Sequence, residues 1–419
     1  MSGLFFLLLS LIVVLTACTS AAVKPPAEAK VLRIGALVPL SGAASIHGLS
    51  ARQSYPAILN AYNSNEGGIR VGDDIYKLEI VDSDAPIFPP SADLAGAKDL
   101  ILNKKVNAIC IYYGIAGAPI ATISNKAKVI FNQGTILSSY YDPKQYKYCF
   151  FGYPTFEILQ WQPLYMAKAL PEVNCLAYLN PASGETQLEA DIPSEVRQMA
   201  KEKFGVDLVS FLYPAGTQNF TPYLTKIKES KADAIYTMCN MSEIGMMAKQ
   251  SHELGYKFFI GWSATVTDID ELRNLCGGDE AMENICPDWS APYNLKESKI
   301  SPKYAALIDS IRSYYKKTYG KDPPANRFSV TCMMIGQYIE AVQRAGSIDP
   351  DAVMKQLNGG MLDTYLGTFK LTGSKNYGAD VVCGYHQGIG IIKHGQVQYL
   401  TEWTMEDADV LPEGASRSR

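Results

Sequence analysis

From residue 31 to residue 260 the sequence alternates short apolar runs with stretches whose apolar residues recur at helical spacing. Nothing else in the chain narrows the possible folds so far. Residues 31–38 (VLRIGALV) read as a buried strand, 50–63 as a helix, 77–82 as a second strand and 91–103 as a helix. A third strand follows at 108–111, a helix opens over 119–124, and 129–131 gives a fourth strand. Strands that are apolar throughout need cover on both faces, and intervening helices supply it, so the pattern predicts βαβ units around a parallel sheet.

Gly and Pro interrupt the pattern at Phe151-Gly152-Tyr153-Pro154, and it then starts again. The second series runs helix 156–170, strand 175–179, helix 191–204, strand 206–211, helix 223–229, strand 234–238, helix 243–254 and strand 258–260. Two such series predict an α/β chain with two Rossmann-like, doubly wound lobes. Helices expected at 302–319, 328–345 and 349–357, and strand-like residues 370–392, complete the two lobes instead of forming a third.

The opening residues are of another kind. Leu4 to Leu15 is almost entirely apolar but only about a dozen residues long, short of the roughly twenty a spanning helix needs. A short initial apolar run closed by small residues has the pattern of a secretory signal, although no Lys or Arg precedes it here. It ends Leu15-Thr16-Ala17-Cys18, which resembles the lipobox of bacterial lipoproteins and marks Cys18 for lipidation. Residues 18–30, rich in Ala, Pro and Lys, then read as a tether, so the chain is expected to be anchored to a membrane outside the cytoplasm without spanning it.

Composition excludes several roles. A formal net charge of −4 offers no basic field for nucleic acid. The four His are scattered and no CxxC, HExxH or P-loop occurs, so no metal, nucleotide or other cofactor is expected. Cys110, Cys149, Cys175 and Cys239 lie in apolar strand-like runs and read as small buried hydrophobes. Cys276 and Cys286 flank a short polar loop and are the candidate disulfide pair, the alternative being two separate thiols.

Several segments resemble the leucine/isoleucine/valine-binding type of periplasmic protein, the type I solute-binding lipoproteins of ABC transporters. They are Ile34-Gly35-Ala36-Leu37-Val38-Pro39-Leu40-Ser41-Gly42, the helix exit Asn60-Ala61-Tyr62-Asn63-Ser64-Asn65-Glu66-Gly67-Gly68-Ile69, and Lys77-Leu78-Glu79-Ile80-Val81-Asp82-Ser83-Asp84. Thr217-Gln218-Asn219-Phe220-Thr221-Pro222-Tyr223-Leu224 and the following Ala232-Asp233-Ala234-Ile235-Tyr236 extend the likeness, which covers about 31 to 400. The resemblance implies a signal at 1–17, one lobe from 31–151 plus 288–369, a second from 152–287 plus 370–405, and a tail at 406–419. It places the three crossings between lobes near Phe151, near Pro287 and between residues 369 and 377.

Ligands of open α/β sheets sit beyond the carboxyl ends of the strands. In the first lobe the resemblance points to His47, to Tyr113 and Gly114 after the third strand, and to Gln133, Gly134 and Thr135 after the fourth. In the second it points to Ser183, Asn240, Trp262 and Ser263. Gly114 stands where relatives carry a small hydroxylated residue, so only backbone amides remain there to hold a carboxylate. Ser263 stands where branched-chain amino-acid binders place an acid, with no carboxylate before Asp268. A buried ammonium without a partner costs several kcal/mol or loses its proton. The residues therefore favour a small carboxylate, amide or aromatic acid over a zwitterionic amino acid.

The expected partners are that small molecule, an ABC permease, and the membrane through the anchor at Cys18; the chain is expected to be monomeric. A ligand-sensing receptor subunit of the same fold is the alternative. A hydrolase is less favoured, since no GxSxG elbow is present and the GxG at Gly388-Ile389-Gly390 lies between strand-like segments.

Overall fold

The computed structural model describes residues 30–42, 45–64, 67–86, 89–111, 116–134, 141–153, 161–182, 192, 194–214, 216–263, 269–288, 301–320, 325–364, 367–384 and 387–403. No helix among them is long and apolar enough to cross a membrane.

The first sheet is built around β1 (Lys30–Val38), which pairs in parallel with β3 (Asp74–Asp84) on one side and β4 (Ala108–Ile111) on the other. It also takes in β2 (Ile69–Val71), β5 (Ile130–Gln133), β6 (Cys149–Phe151), β12 (Met361–Thr364), β13 (Gly367–Thr372) and β14 (Val382–Cys383). The order is β12-β13-β14-β6-β5-β4-β1-β3-β2. The second sheet contains β7 (Cys175–Pro181), β8 (Asp207–Tyr213), β9 (Ala234–Thr237), β10 (Phe259–Trp262) and β11 (Ile285–Pro287), in the order β11-β10-β9-β7-β8 with all pairs parallel. A hairpin of β15 (Gln387–Lys393) and β16 (Gln396–Trp403) finishes the described chain.

The two runs of strand and helix thus form two sheets with parallel centres, as the alternation predicts; the second is wholly parallel, whereas β2, β12 and β13 add antiparallel strands at the edges of the first. One boundary differs. β13 and β14 carry the first sheet on to Cys383, past residue 369, because β13 pairs with β14 and β14 pairs with β6. The residues that return to the second sheet's side are those of β15, which bridges to Asp288 after β11.

The helices begin and stop for local reasons. α1 (Ser45–Asn63) precedes β2, and α2 (Pro90–Leu102) opens with Pro at its first position, where no N–H is needed. α3 (Gly117–Ala127) ends on Lys128, which adopts a left-handed conformation at φ 55°. In the second series come α4 (Trp161–Ala169), α5 (Ser194–Met199), α6 (Thr221–Glu229), α7 (Met241–Glu253), α8 (Ile269–Cys276) and α9 (Asp279–Met282). α5 runs on into a π turn over Ala200–Phe204. α10 (Pro302–Tyr319) starts at Pro302 and is stopped by Gly320 at φ 69°. α11 (Ala325–Ala345) and α12 (Pro350–Leu357) follow, the latter capped by the Asp349 carboxylate, which accepts from Ala352 N at 3.0 Å. α10 and α11 lie against α1, on the first sheet's side.

Side chains alternate across the second sheet. Tyr178 and Tyr236 join the large apolar cluster that continues through the first sheet, together with Trp161 and Trp403. Their neighbours Leu179 and Ile235 face the other way, into a separate cluster with Ile244, Met247 and Leu272. On the first of these faces Tyr165 of α4 stacks on Trp403 at 6.0 Å, which fastens the final hairpin to the second lobe's helix.

Candidate functional site

The strands of both sheets end in loops that lead into helices, and these edges hold the expected binding positions. In the first sheet Asp84, the last residue of β3, organises the loop after β1. Its Oδ1 accepts from the N–H groups of Leu40 (2.8 Å) and Ser41 (3.2 Å), and its Oδ2 from the Ser41 hydroxyl (2.6 Å). Asp84 was not among the expected site residues, although its place at the end of a strand was legible. Ser41 is thereby fixed to the loop. His47 lies in α1, and its side chain is outside the described residues.

Tyr113, Gly114, Thr135 and Ser183 also fall outside them, as does Cys18. What flanks Tyr113 and Gly114 is described: β4 ends at Ile111, and α3 begins after Ala116 with no side chain among the described residues capping its first turn. The first N–H groups of a helix have no partner within the helix. Gln133 is fully buried within β5, and its Oε1 faces the Cys149 thiol at 3.9 Å, so its side chain turns into the sheet. Gly134 closes the end of the sheet. Its N–H donates to Ile111 O at 2.8 Å, and a Cβ there would lie 2.8 Å from the same oxygen. That glycine is required by the close approach of β4, whatever it also offers a ligand.

The second lobe corrects three expectations, two of them at its strand ends. Asn240 is the N-cap of α7: its Oδ1 accepts from Glu243 N (3.0 Å), while Glu243 Oε2 accepts from Asn240 N (3.2 Å) and Nδ2 (2.8 Å). This reciprocal capping box commits the amide to the helix instead of to a ligand. The Asn-x-x-Glu spacing carried the signal. Trp262 is not an open aromatic wall; it is buried, and its indole N–H donates to Cys239 O at 2.8 Å. Ser263 is half-buried at the sheet edge, its N–H donating to Thr237 O at 3.2 Å. Burial pushes the Glu243 carboxyl above its ordinary value, against the opposing hydrogen bond from Asn240 N.

The third correction concerns the disulfide. Cys276 and Cys286 are both buried and unpaired. Cys276 belongs to the cluster on the α7–α8 face, whereas Cys286, opposite Gly261 in the ladder, belongs to the cluster on the α4 face. The second sheet therefore separates two sulfurs that a disulfide would need within bonding reach. Burial raises both thiols to about 12. Alkylation of the folded chain at pH 8 is expected to leave both unmodified, and denaturation to expose two free thiols; a peptide pair linked through sulfur would refute this.

A surface groove of about 280 Å³ opens between the C-terminal end of α7 and α8–α9, lined by Lys249, His252, Glu253 and Asp279 among others. It lies at the end of α7 remote from the strand carboxyl edges, so it is not the site that the fold positions.

The periplasmic binding protein family profile matches residues 31–381. The chain belongs to the periplasmic binding protein family. Solved structures agree on the fold. A leucine-binding protein from Thermotoga maritima shares 19% identity and a TM-score of 0.62, covering 90% of this chain and 100% of its own. A branched-chain amino acid transporter substrate-binding protein from Streptococcus pneumoniae, in complex with isoleucine, shares 17% identity and a TM-score of 0.66 over 90% and 99% of the two chains. A solute-binding protein from Rhodopseudomonas palustris, in complex with 4-hydroxybenzoate, shares 15% identity and a TM-score of 0.67 over 91% and 100%. No curated protein matches at the sequence level. The two sheets of this periplasmic binding protein are accordingly the two lobes of a clamshell.

Proposed function

We propose that the chain is an extracytoplasmic, lipid-anchored solute-binding protein that delivers a small carboxylate, amide or aromatic acid to an ABC importer and does not turn it over. The observation that carries this reading is the first lobe's edge: the start of α3, which no side chain among the described residues caps, beside the ends of β4 and β5. Unpartnered N–H groups and the positive end of a helix favour a carboxylate without a nearby cation. Family membership and the two-lobed fold support the binding role, and two facing edges supply the differential contacts that closure on a ligand requires. Cys18 supports the anchor, the permease is the partner, and the chain acts as a monomer. His47, Tyr113, Gly114, Thr135, Ser183, Ser263 and the backbone of Gln133 remain the proposed contacts, with Gly134 shaping the pocket.

The ligand preference rests on Ser263. The half-buried hydroxyl offers no charge to an ammonium, whereas isoleucine binders of this fold must accommodate one. Structures of the same fold holding hydroxylated benzoic acids make that class the first to try. The test is thermal denaturation of the intact chain with 4-hydroxybenzoate, 3,4-dihydroxybenzoate and short amides, beside isoleucine, leucine, valine and glutamate. A true ligand at a hundred times its Kd adds about 2.7 kcal/mol of stability. A rise in Tm with an aromatic acid or amide, and its recovery chemically unchanged, is expected. A rise only with amino acids overturns the preference, and turnover of the bound molecule overturns the binding role.

A further inference from the structure

Two segments leave the first sheet side by side. β6 and β14 are parallel neighbours, with Val382 opposite Phe151 and Phe151 N donating to Val381 O at 2.8 Å. Beyond them the chain continues to α4 and to β15, both on the second lobe's side. One side chain reaches both exits. The amide of Gln337, fully buried on α11, donates to Gly152 O at 2.8 Å and meets the Cys383 sulfur at 2.9 Å.

Asn132 of β5 completes the arrangement. Its Nδ2 donates to Met334 O at 2.9 Å and to Gln337 Oε1 at 3.2 Å, and its Oδ1 accepts from Gly152 N at 3.0 Å. The N–H and the C=O of Gly152 are thus both held by first-lobe side chains. The space is closed as well: a Cβ on Gly152 would lie 2.1 Å from Asn132 Oδ1 and 2.2 Å from Gln337 Oε1. Asn132 also immediately precedes Gln133 and Gly134, at the edge where the site is proposed.

We propose that Gln337 and Asn132 form a pin that couples the two exits and fixes the pivot of lobe closure beyond Gly152 and Cys383. They are positioning residues; neither touches the ligand. A buried polar network in which each member is satisfied resists deformation, because any strain leaves a donor or acceptor without water. Since one amide serves both exits, loosening either one frees the group that holds the other. The pin stands on the hydrogen bonds alone, and only its consequence for closure rests on the two-lobed binding reading.

The test is hydrogen exchange on the intact chain without any solute, so its result is independent of whether a ligand is ever found. Gln337→Met keeps the length of the side chain and removes its donors. It is expected to speed exchange roughly tenfold in peptides covering both 149–153 and 380–384, while β1 and β9 keep their protection. Small-angle scattering should show a wider spread of overall dimensions.

Cys383→Ala supplies the second arm and does not depend on that variant folding. It is expected to speed exchange at 149–153, on the other exit, and Cys383→Ser should restore protection by offering an acceptor to the same N–H. The proposal is overturned if Cys383→Ala leaves 149–153 at wild-type rates or Cys383→Ser fails to rescue. It is equally overturned if folded Gln337→Met loosens one exit alone, or scatters as wild type does. Turnover of the bound molecule beside a positive exchange result would reject the binding reading and leave the pin intact.

Discussion

Gly48→Ala is expected to destabilise the chain by roughly 3 kcal/mol, the upper end of the ordinary cost of overpacking. A Cβ at this buried position of α1 would lie 1.9 Å from Pro39 O and 2.4 Å from Pro39 C. Both are backbone atoms, so no rotamer change relieves the contact, and either α1 or the loop after β1 must move. That loop is the one Asp84 holds through Leu40 and Ser41. The substitution should therefore lower solute affinity along with the midpoint of urea unfolding. A midpoint within experimental error of wild type would show that α1 tolerates the displacement.

Glu340→Leu is expected to cost about 3 kcal/mol, the low end for removing one partner from a buried ionic network. Glu340 joins α10 to α11: its carboxylate accepts from Lys303 Nζ (2.8 Å), Arg344 Nε (2.8 Å) and the buried Tyr304 hydroxyl (3.0 Å). The low end applies because Lys303 and Arg344 retain 52% and 37% side-chain exposure and stay solvated, whereas Tyr304 OH loses its acceptor in the core. Burial alone would raise the Glu340 pKa, but the bonds from Lys303, Arg344 and Tyr304 outweigh it and hold the carboxyl below its ordinary value. A folded pKa below the unfolded one means that the group adds stability above the unfolded pKa and loses it as pH falls through the folded one. The stability gap between wild type and Glu340→Leu should therefore be full at pH 6 and 7 and shrink once pH drops below about 4.3, the ordinary Glu pKa. A gap that stays constant to low pH would place the stabilisation in packing and not in the charge.

Much of the architecture was legible because buried parallel strands and long helices announce themselves. Residues 108–111 and 302–319 were read from pattern alone and are observed as Ala108–Ile111 and Pro302–Tyr319. The three-residue strands Ile69–Val71 and Ile285–Pro287 were not, since a strand that short has no period to detect and exists by virtue of its neighbour. α1 begins at Ser45 instead of residue 50 because Gly48, a poor helix former, is retained for the close approach to Pro39. The lobe boundary at 369 failed for a related reason: only pairing with β6 reveals that β14 still belongs to the first sheet.

The site was less legible than the fold. Sequence placed Asn240 and Trp262 at or beyond strand ends, where they are observed, but could not say what their polar atoms already hold. One caps α7, and the other binds the carbonyl of Cys239. Position beyond a strand end identifies the neighbourhood of a ligand, whereas commitment of each donor and acceptor is a three-dimensional property. The Asn240–Glu243 spacing is the exception, because a capping box is written into four consecutive residues.

The strand order of the first sheet also bears on how the chain is made. β14 adds beside β6 across more than two hundred residues of sequence, and the second lobe's α4 waits for Trp403 to stack on Tyr165. Neither half can be finished until Val382 and Trp403 have been made. Distant partners slow folding, because the entropy of closing the intervening loop is lost before the contacts form. The two halves therefore complete together, late, instead of one after the other.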